Sequence, residues 1–155
     1  MLRTQSISLE DWAPYRALAG AWTGGVVRLR VSGLWGSARP LVLSALLDPD
    51  PRPCLILVSG IADAQRWAGD LRFFGARAVD FPPPEPRLWR GGRHREADAS
   101  RAAVCHRILS GEPVAVVATP AALTHPLPEP GEFKAGTVRL SVGDRLDRDL
   151  LVEAL

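Results

Sequence analysis

Gly33-Leu34-Trp35-Gly36-Ser37-Ala38-Arg39-Pro40 stands where a phosphate-binding loop belongs. A working loop reads G-x-x-x-x-G-K-[ST] between a strand and a helix, with backbone N–H groups and a lysine on phosphate and a hydroxyl on magnesium. Gly33 supplies the first glycine and Gly36 and Ser37 lie within the loop, but Ala38 replaces the second glycine, Arg39 the lysine and Pro40 the hydroxyl residue. Arg39 keeps the charge as a planar fork, a poor exchange for a compact ammonium in a tight cradle. Pro40 is the severe change. It has no hydroxyl and no N–H, although its fixed φ suits the first turn of a helix. The segment therefore reads as a degenerate phosphate loop that has kept its turn and lost its magnesium site.

Other chemistry is sparse. His94, His106 and His125 are scattered, and no G-x-S-x-G or H-E-x-x-H motif occurs. Asp63, Asp70, Asp80 and Glu85 follow no strand that would mark a magnesium-binding acid, Asp80 after Ala78-Val79 coming closest. Arg87, Trp89, Arg90 and Arg93 form a basic, aromatic segment that could contact nucleic acid, the indole stacking on a base. Cys54 and Cys105 lie in apolar runs and read as buried thiols, with neither zinc spacing nor a disulfide framework.

The elements that would hold these residues alternate. A capping box at Ser8 and Asp11 predicts a helix over Leu9–Leu18, broken at Gly20. Val26–Val31 reads as the strand leading into the loop, and Leu41–Leu47 as the helix leading out. Cys54–Val58, continuously apolar, suits a strand covered on both faces. A helix follows over Ile61–Phe74, with Ala64, Trp67, Ala68 and Leu71 on one stripe and Gly75 as its stop. Ala78–Phe81 is a strand, Pro82–Pro86 a stiff loop, and Glu96–Leu109 a helix with Ala99, Ala102, Ala103, His106 and Leu109 near one face. Val114–Ala118 is another buried strand, and Pro120 begins a helical turn. Prolines 126, 128 and 130 make a linker, Thr137–Val142 alternates like a half-exposed strand, and Asp147–Leu155 opens a helix. Alternating strands and helices define an α/β fold with a parallel sheet. Ligands in such sheets bind beyond the carboxyl ends of the strands, where Ser59-Gly60, Thr119-Pro120 and the Gly33–Pro40 loop are expected.

Composition narrows the class. The 155 residues are 46% hydrophobic and 23% charged, with a net charge of +2. That suits a globular domain with its own core and is too weakly basic to argue for nucleic acid. No apolar run reaches the length of a membrane span, the first residues do not read as a signal peptide, and a reducing cytoplasm is expected.

Several segments in order resemble the N-terminal region of the bacterial transcription-repair coupling factor, itself similar to the first domain of the B component of excinuclease ABC. They are Ser32–Arg39 with the apolar helix after it, Arg52–Val58, Asp70–Phe74, Phe81–Pro86, Gly111–Leu123 with Phe133, and Val142–Leu151. The resemblance runs from Val31 to Leu155. It implies a RecA-like domain, flanked by helices, that does not bind ATP. Arg39 and Pro40 put the chain on the coupling-factor side, and Tyr15 as its single tyrosine argues against the damage-probing hairpin of excinuclease B. The resemblance implies this division: residues 1–30 a helix and lead-in strand, 31–126 the degenerate RecA-like domain, 127–136 a linker, and 137–155 the start of an excinuclease-B-like interaction domain. The chain is then a non-catalytic fragment without cofactor, ATP and magnesium serving the parent's motor. Its partners would be the rest of the coupling factor and, through the parent, RNA polymerase, the A component of excinuclease ABC and double-stranded DNA, with no membrane. The other reading open to the sequence is a self-standing nucleotide-binding or hydrolase domain with an atypical loop.

Overall fold

The structure, a computed structural model, describes residues 9–84, 95–138, 140–143 and 145, with the backbone only at 95 and 96. It divides into two compact units, residues 1–125 and 126–155. The first holds α1 (Ala13–Thr23), α2 (Ala38–Leu47), β1 (Cys54–Leu57), α3 (Ile61–Phe73), β2 (Ala78–Phe81), α4 (Arg95–Leu109), β3 (Ala115–Ala118) and α5 (Pro120–Leu123). The second holds α6 (Pro130–Ala135), closed by a reciprocal capping box between Glu129 and Glu132.

The fold is α/β. Its described sheet has three parallel strands in the order β1-β3-β2. Cys54 lies opposite Ala115 and Leu57 opposite Ala118, while Ala78 and Phe81 flank the same two residues from the other side. Strand side chains alternate between faces, so β3 feeds two cores. Ala115 and Val117 join Leu47, Ala64, Ala68, Leu71 and Ala78 under α2 and α3. Val116 and Ala118 join Phe81, Val104, Val114 and Ala122 under α4 and α5. β3 is buried along its whole length.

Helix ends follow local chemistry. α3 buries Ala64, Ala68 and Leu71 on the stripe the spacing predicts. It ends where the N–H of Ala76 reaches the carbonyl of Leu71 at 2.9 Å and that of Gly75 reaches Arg72 at 3.1 Å, with Gly75 at φ 94°. That double closure needs a left-handed residue, which glycine supplies without steric cost. In α5 the Thr119 hydroxyl accepts from the N–H of Ala122 at 3.3 Å, ahead of Pro120 in the first turn. A third core holds α1 on α2 through Tyr15, Val42 and Leu46, and the Tyr15 hydroxyl donates to the Ala45 carbonyl at 2.9 Å.

Five expectations are corrected. Val26–Val31 forms no strand; it is exposed and irregular, because no strand among the described residues accepts its backbone. β1 is covered on one face only, with Leu55 and Leu57 55% and 57% exposed, because the core under α4 and α5 takes in residues of β2 and β3 and none of β1. The first helix starts at Ala13 and passes through Gly20 to Thr23; Trp12 precedes it without a side-chain cap, and Ser8 lies outside the described residues. α4 buries Arg101 and Val104 rather than Ala99, Ala102, Ala103 and His106, all exposed; the alanines favour helix without marking its core face. No strand forms among the described residues of Thr137–Val142. The helix expected over Asp147–Leu155 lies outside the described residues.

Arg101 ties the α4 face together. Its guanidinium donates to the carbonyls of Pro82 at 2.8 Å and Ala122 at 3.0 Å, and stands 4.2 Å from the centre of the Phe81 ring. A buried cation needs such partners to offset its lost hydration.

Candidate functional site

The Gly33–Pro40 loop turns on its glycines and directs the N–H groups of Ala38 and Arg39 at its own carbonyls. Gly33 and Gly36 sit at φ 81° and 52°. A Cβ at either would meet nothing within 4 Å, so they serve the turn and not a close approach of another group. The N–H of Ala38 goes to the Trp35 carbonyl at 3.1 Å and that of Arg39 to Gly36 at 3.4 Å. Pro40 has none, and the N–H of Leu41 goes to Ser37 at 3.1 Å. A phosphate cradle needs those donors free and pointing at the ligand.

The side chains are engaged too. The Ser37 hydroxyl donates to Asp70 Oδ2 at 2.8 Å, which puts a carboxylate beside the loop, where it repels an anion. Arg39 Nε donates to the Leu34 carbonyl at 2.9 Å, so the guanidinium holds the loop that precedes it. Pro40 is buried at the start of α2. Ser44, further along the same helix, donates to the Phe74 carbonyl at 2.8 Å and so fastens α2 to the end of α3.

The loop also lies in an unexpected place. At 1.5 Å per residue, Asp70 is about 13 Å along α3 from Ile61, the end that follows β1. Ser37 therefore sits beside the later turns of α3 and not with Ser59 and Thr119 at the carboxyl ends of the strands. Those two do share that end, since the N–H of Val58 donates to Ala118 at 3.0 Å. Their hydroxyls are used locally: Ser59 Oγ donates to Asp63 Oδ2 at 3.0 Å, Asp63 pairs with Arg66, and Thr119 caps α5.

Beside the loop lies an apolar hollow of about 580 Å³, lined among others by Trp22, Val31, Trp35, Arg39, Leu43 and Trp67. The buried Trp22 Nε1 has no hydrogen-bond partner there. Elsewhere, His106 and His125 are exposed and Asp80 is half-buried. Among the described residues no three His, Cys, Asp or Glu side chains gather as metal ligands would. Cys54 and Cys105 are half-buried free thiols rather than fully buried ones, and burial pushes the Cys54 pKa up. Burial, helped by the charges of Glu10 and Asp48, raises that of Tyr15. Arg87, Trp89, Arg90, Arg93, His94 and Glu85 lie outside the described residues.

Sequence reasoning missed the contacts of Arg101, Ser44 and the Ser37–Asp70 pair. Arg101 had a readable signal, since it shares a helical stripe with Val104 and Cys105. The other two depend on how α2 crosses α3, which spacing does not encode.

An α/β unit with a small parallel sheet between helices is compatible with a RecA-like fold. No protein-family model matches the chain. It is 26% identical over 144 residues to the transcription-repair-coupling factor of Bacillus subtilis (strain 168). The match takes in 91% of this chain and 12% of that protein. The relationship is distant. No helix among the described residues is long and apolar enough to cross a membrane.

Proposed function

We propose that the chain is a non-catalytic module of a transcription-repair coupling factor, one that helps link a stalled RNA polymerase to nucleotide excision repair. The match over 91% of the chain carries this reading. In a longer protein of that kind the unit would serve as scaffold for an excinuclease-B-like module that recruits the A component of excinuclease ABC, while ATP and double-stranded DNA belong to a motor elsewhere. What supports a scaffold over a nucleotide site is the engagement of the loop: the N–H groups of Ala38 and Arg39 reach loop carbonyls, its hydroxyl reaches Asp70, and no strand leads into it.

Two measurements test it. Titration calorimetry of the chain with ATP and magnesium is expected to show no binding; micromolar affinity would favour the nucleotide-binding alternative, which should then be lost in Arg39→Ala. In cells, removing the encoding segment should slow repair of the transcribed strand after ultraviolet damage while leaving the other strand unaffected. Equal repair of the transcribed strand with and without the segment would sink the repair reading.

A further inference from the structure

The loop and α3 meet at an exposed aromatic surface. Trp35 is 83% exposed and Phe73 72%. The bond from the Ser37 hydroxyl to Asp70 holds the loop against α3. Trp35 stands two residues before Ser37, so their Cα atoms are within about 7.6 Å of each other. Phe73 stands three residues after Asp70, its neighbour on the helix surface one turn on. Both rings therefore belong to the surroundings of the Ser37–Asp70 pair, one from the loop and one from the helix.

The supports of this surface are fixed. Phe73 meets Phe74 edge to face, with ring centres 5.2 Å apart at 77°, and the Phe74 carbonyl takes the Ser44 hydroxyl of α2 at 2.8 Å. On the loop side, Arg39 Nε holds the Leu34 carbonyl. The charge at the centre is not matched. Among the described residues the ion pairs are Arg52–Asp50, Arg66–Asp63 and Arg107–Glu112, and Asp70 belongs to none of them. Arg66, one turn earlier on α3, is taken by Asp63. Asp70 Oδ2 accepts from Ser37, a neutral donor that leaves the carboxylate its charge.

We propose that this surface receives an arginine side chain of a partner protein. Its guanidinium hydrogen-bonds to the Asp70 carboxylate and lies on the Trp35 ring, while an apolar residue beside it covers Phe73. A carboxylate next to an exposed tryptophan calls for a cation that both hydrogen-bonds and stacks. The planar, weakly hydrated guanidinium does both, where an ammonium keeps its water. The same carboxylate disfavours nucleic acid, whose phosphates it repels. The surface goes beyond the scaffold reading and does not lean on it, since its chemistry lies in three residues of this chain.

Selection of a random twelve-residue peptide library on the immobilised 155-residue chain tests this. Recovered peptides should carry an arginine next to an apolar residue. Changing that arginine to lysine should weaken binding by about threefold or more. Asp70→Asn keeps an acceptor for Ser37 and removes the charge, and should weaken binding by about fivefold or more. Trp35→Ala, at an exposed site, should weaken it by about tenfold or more. Thermal melts of both variants should match the native chain, which separates loss of the surface from loss of the fold. Recovery of no binding peptide, of peptides without arginine, or of affinities unchanged in either variant would each overturn the proposal. So would a dimer, seen by light scattering, that both substitutions dissolve, since a second copy would then cover the surface.

Discussion

β1 and β2 pair in parallel with the same four residues of β3, from opposite sides. On the β2 side, Phe81 is buried beneath α4, and Arg101 joins its ring to the carbonyls of Pro82 and Ala122. On the β1 side, Cys54 and Ile56 pack under α2 and α3, while Leu55 and Leu57 meet solvent. The strands are alike in length, and β2 is the less apolar through Asp80, so the difference lies in what covers them. One half is an α/β layer covered by helix; the other leaves an apolar face open among the described residues.

The contrast can be broken by substitution. Leu71→Ala, at a fully buried site in the α3 core, should cost about 2–5 kcal/mol in urea unfolding. A loss under about 1 kcal/mol would mean that the shared core is loose. Arg101→Met keeps bulk over Phe81 but strands two carbonyls, and should cost about 1–3 kcal/mol by the same measurement. If it stabilised the chain, the guanidinium would be a burden to the finished half and not its tie.

Cys54 sharpens the comparison through pH. Burial raises its folded-state pKa above the ordinary 9.0. The stability this thiol contributes is therefore complete below about pH 9 and is lost as pH rises through the folded value. Thermal melts of the native chain should weaken faster above about pH 9 than those of Cys54→Ala; parallel pH profiles would show that the inward face of β1 is as wet as its outward face. The smallest effect is expected at Leu57→Lys, within about 0.5 kcal/mol of the native chain. A loss matching Leu71→Ala would show that the edge is covered after all.

Much of this fold can be read locally. Ala78–Phe81 and the α3 stripe ending at Gly75 stand where periodicity and punctuation put them, because apolar spacing and a left-handed stop act within a few residues. Val26–Val31 has the same alternation as a real strand and fails, since a strand exists only beside another, and that neighbour is not a property of the segment. The burial of Arg101 shows the opposite error: composition marks arginine as surface, and only the Phe81 ring and two facing carbonyls make the interior tolerable for it. At the loop, the loss of the lysine and hydroxyl positions was legible from Arg39 and Pro40. The destination of Ser37, on Asp70 rather than at the end of the sheet, was not.

The central place of β3 bears on how the chain is made. A ribosome delivers β1 and β2 first, and neither can hydrogen-bond to the other across the space that β3 will occupy. The two strands and the apolar stripe of α3 between them must therefore wait, uncovered, from the emergence of Cys54 until that of Ala115–Ala118. Such late closure of long-range pairs is slow and exposes sticky surface meanwhile. Nascent chains of this protein stalled before residue 115 should accordingly be clients of ribosome-associated chaperones, and those stalled well past residue 118 should not.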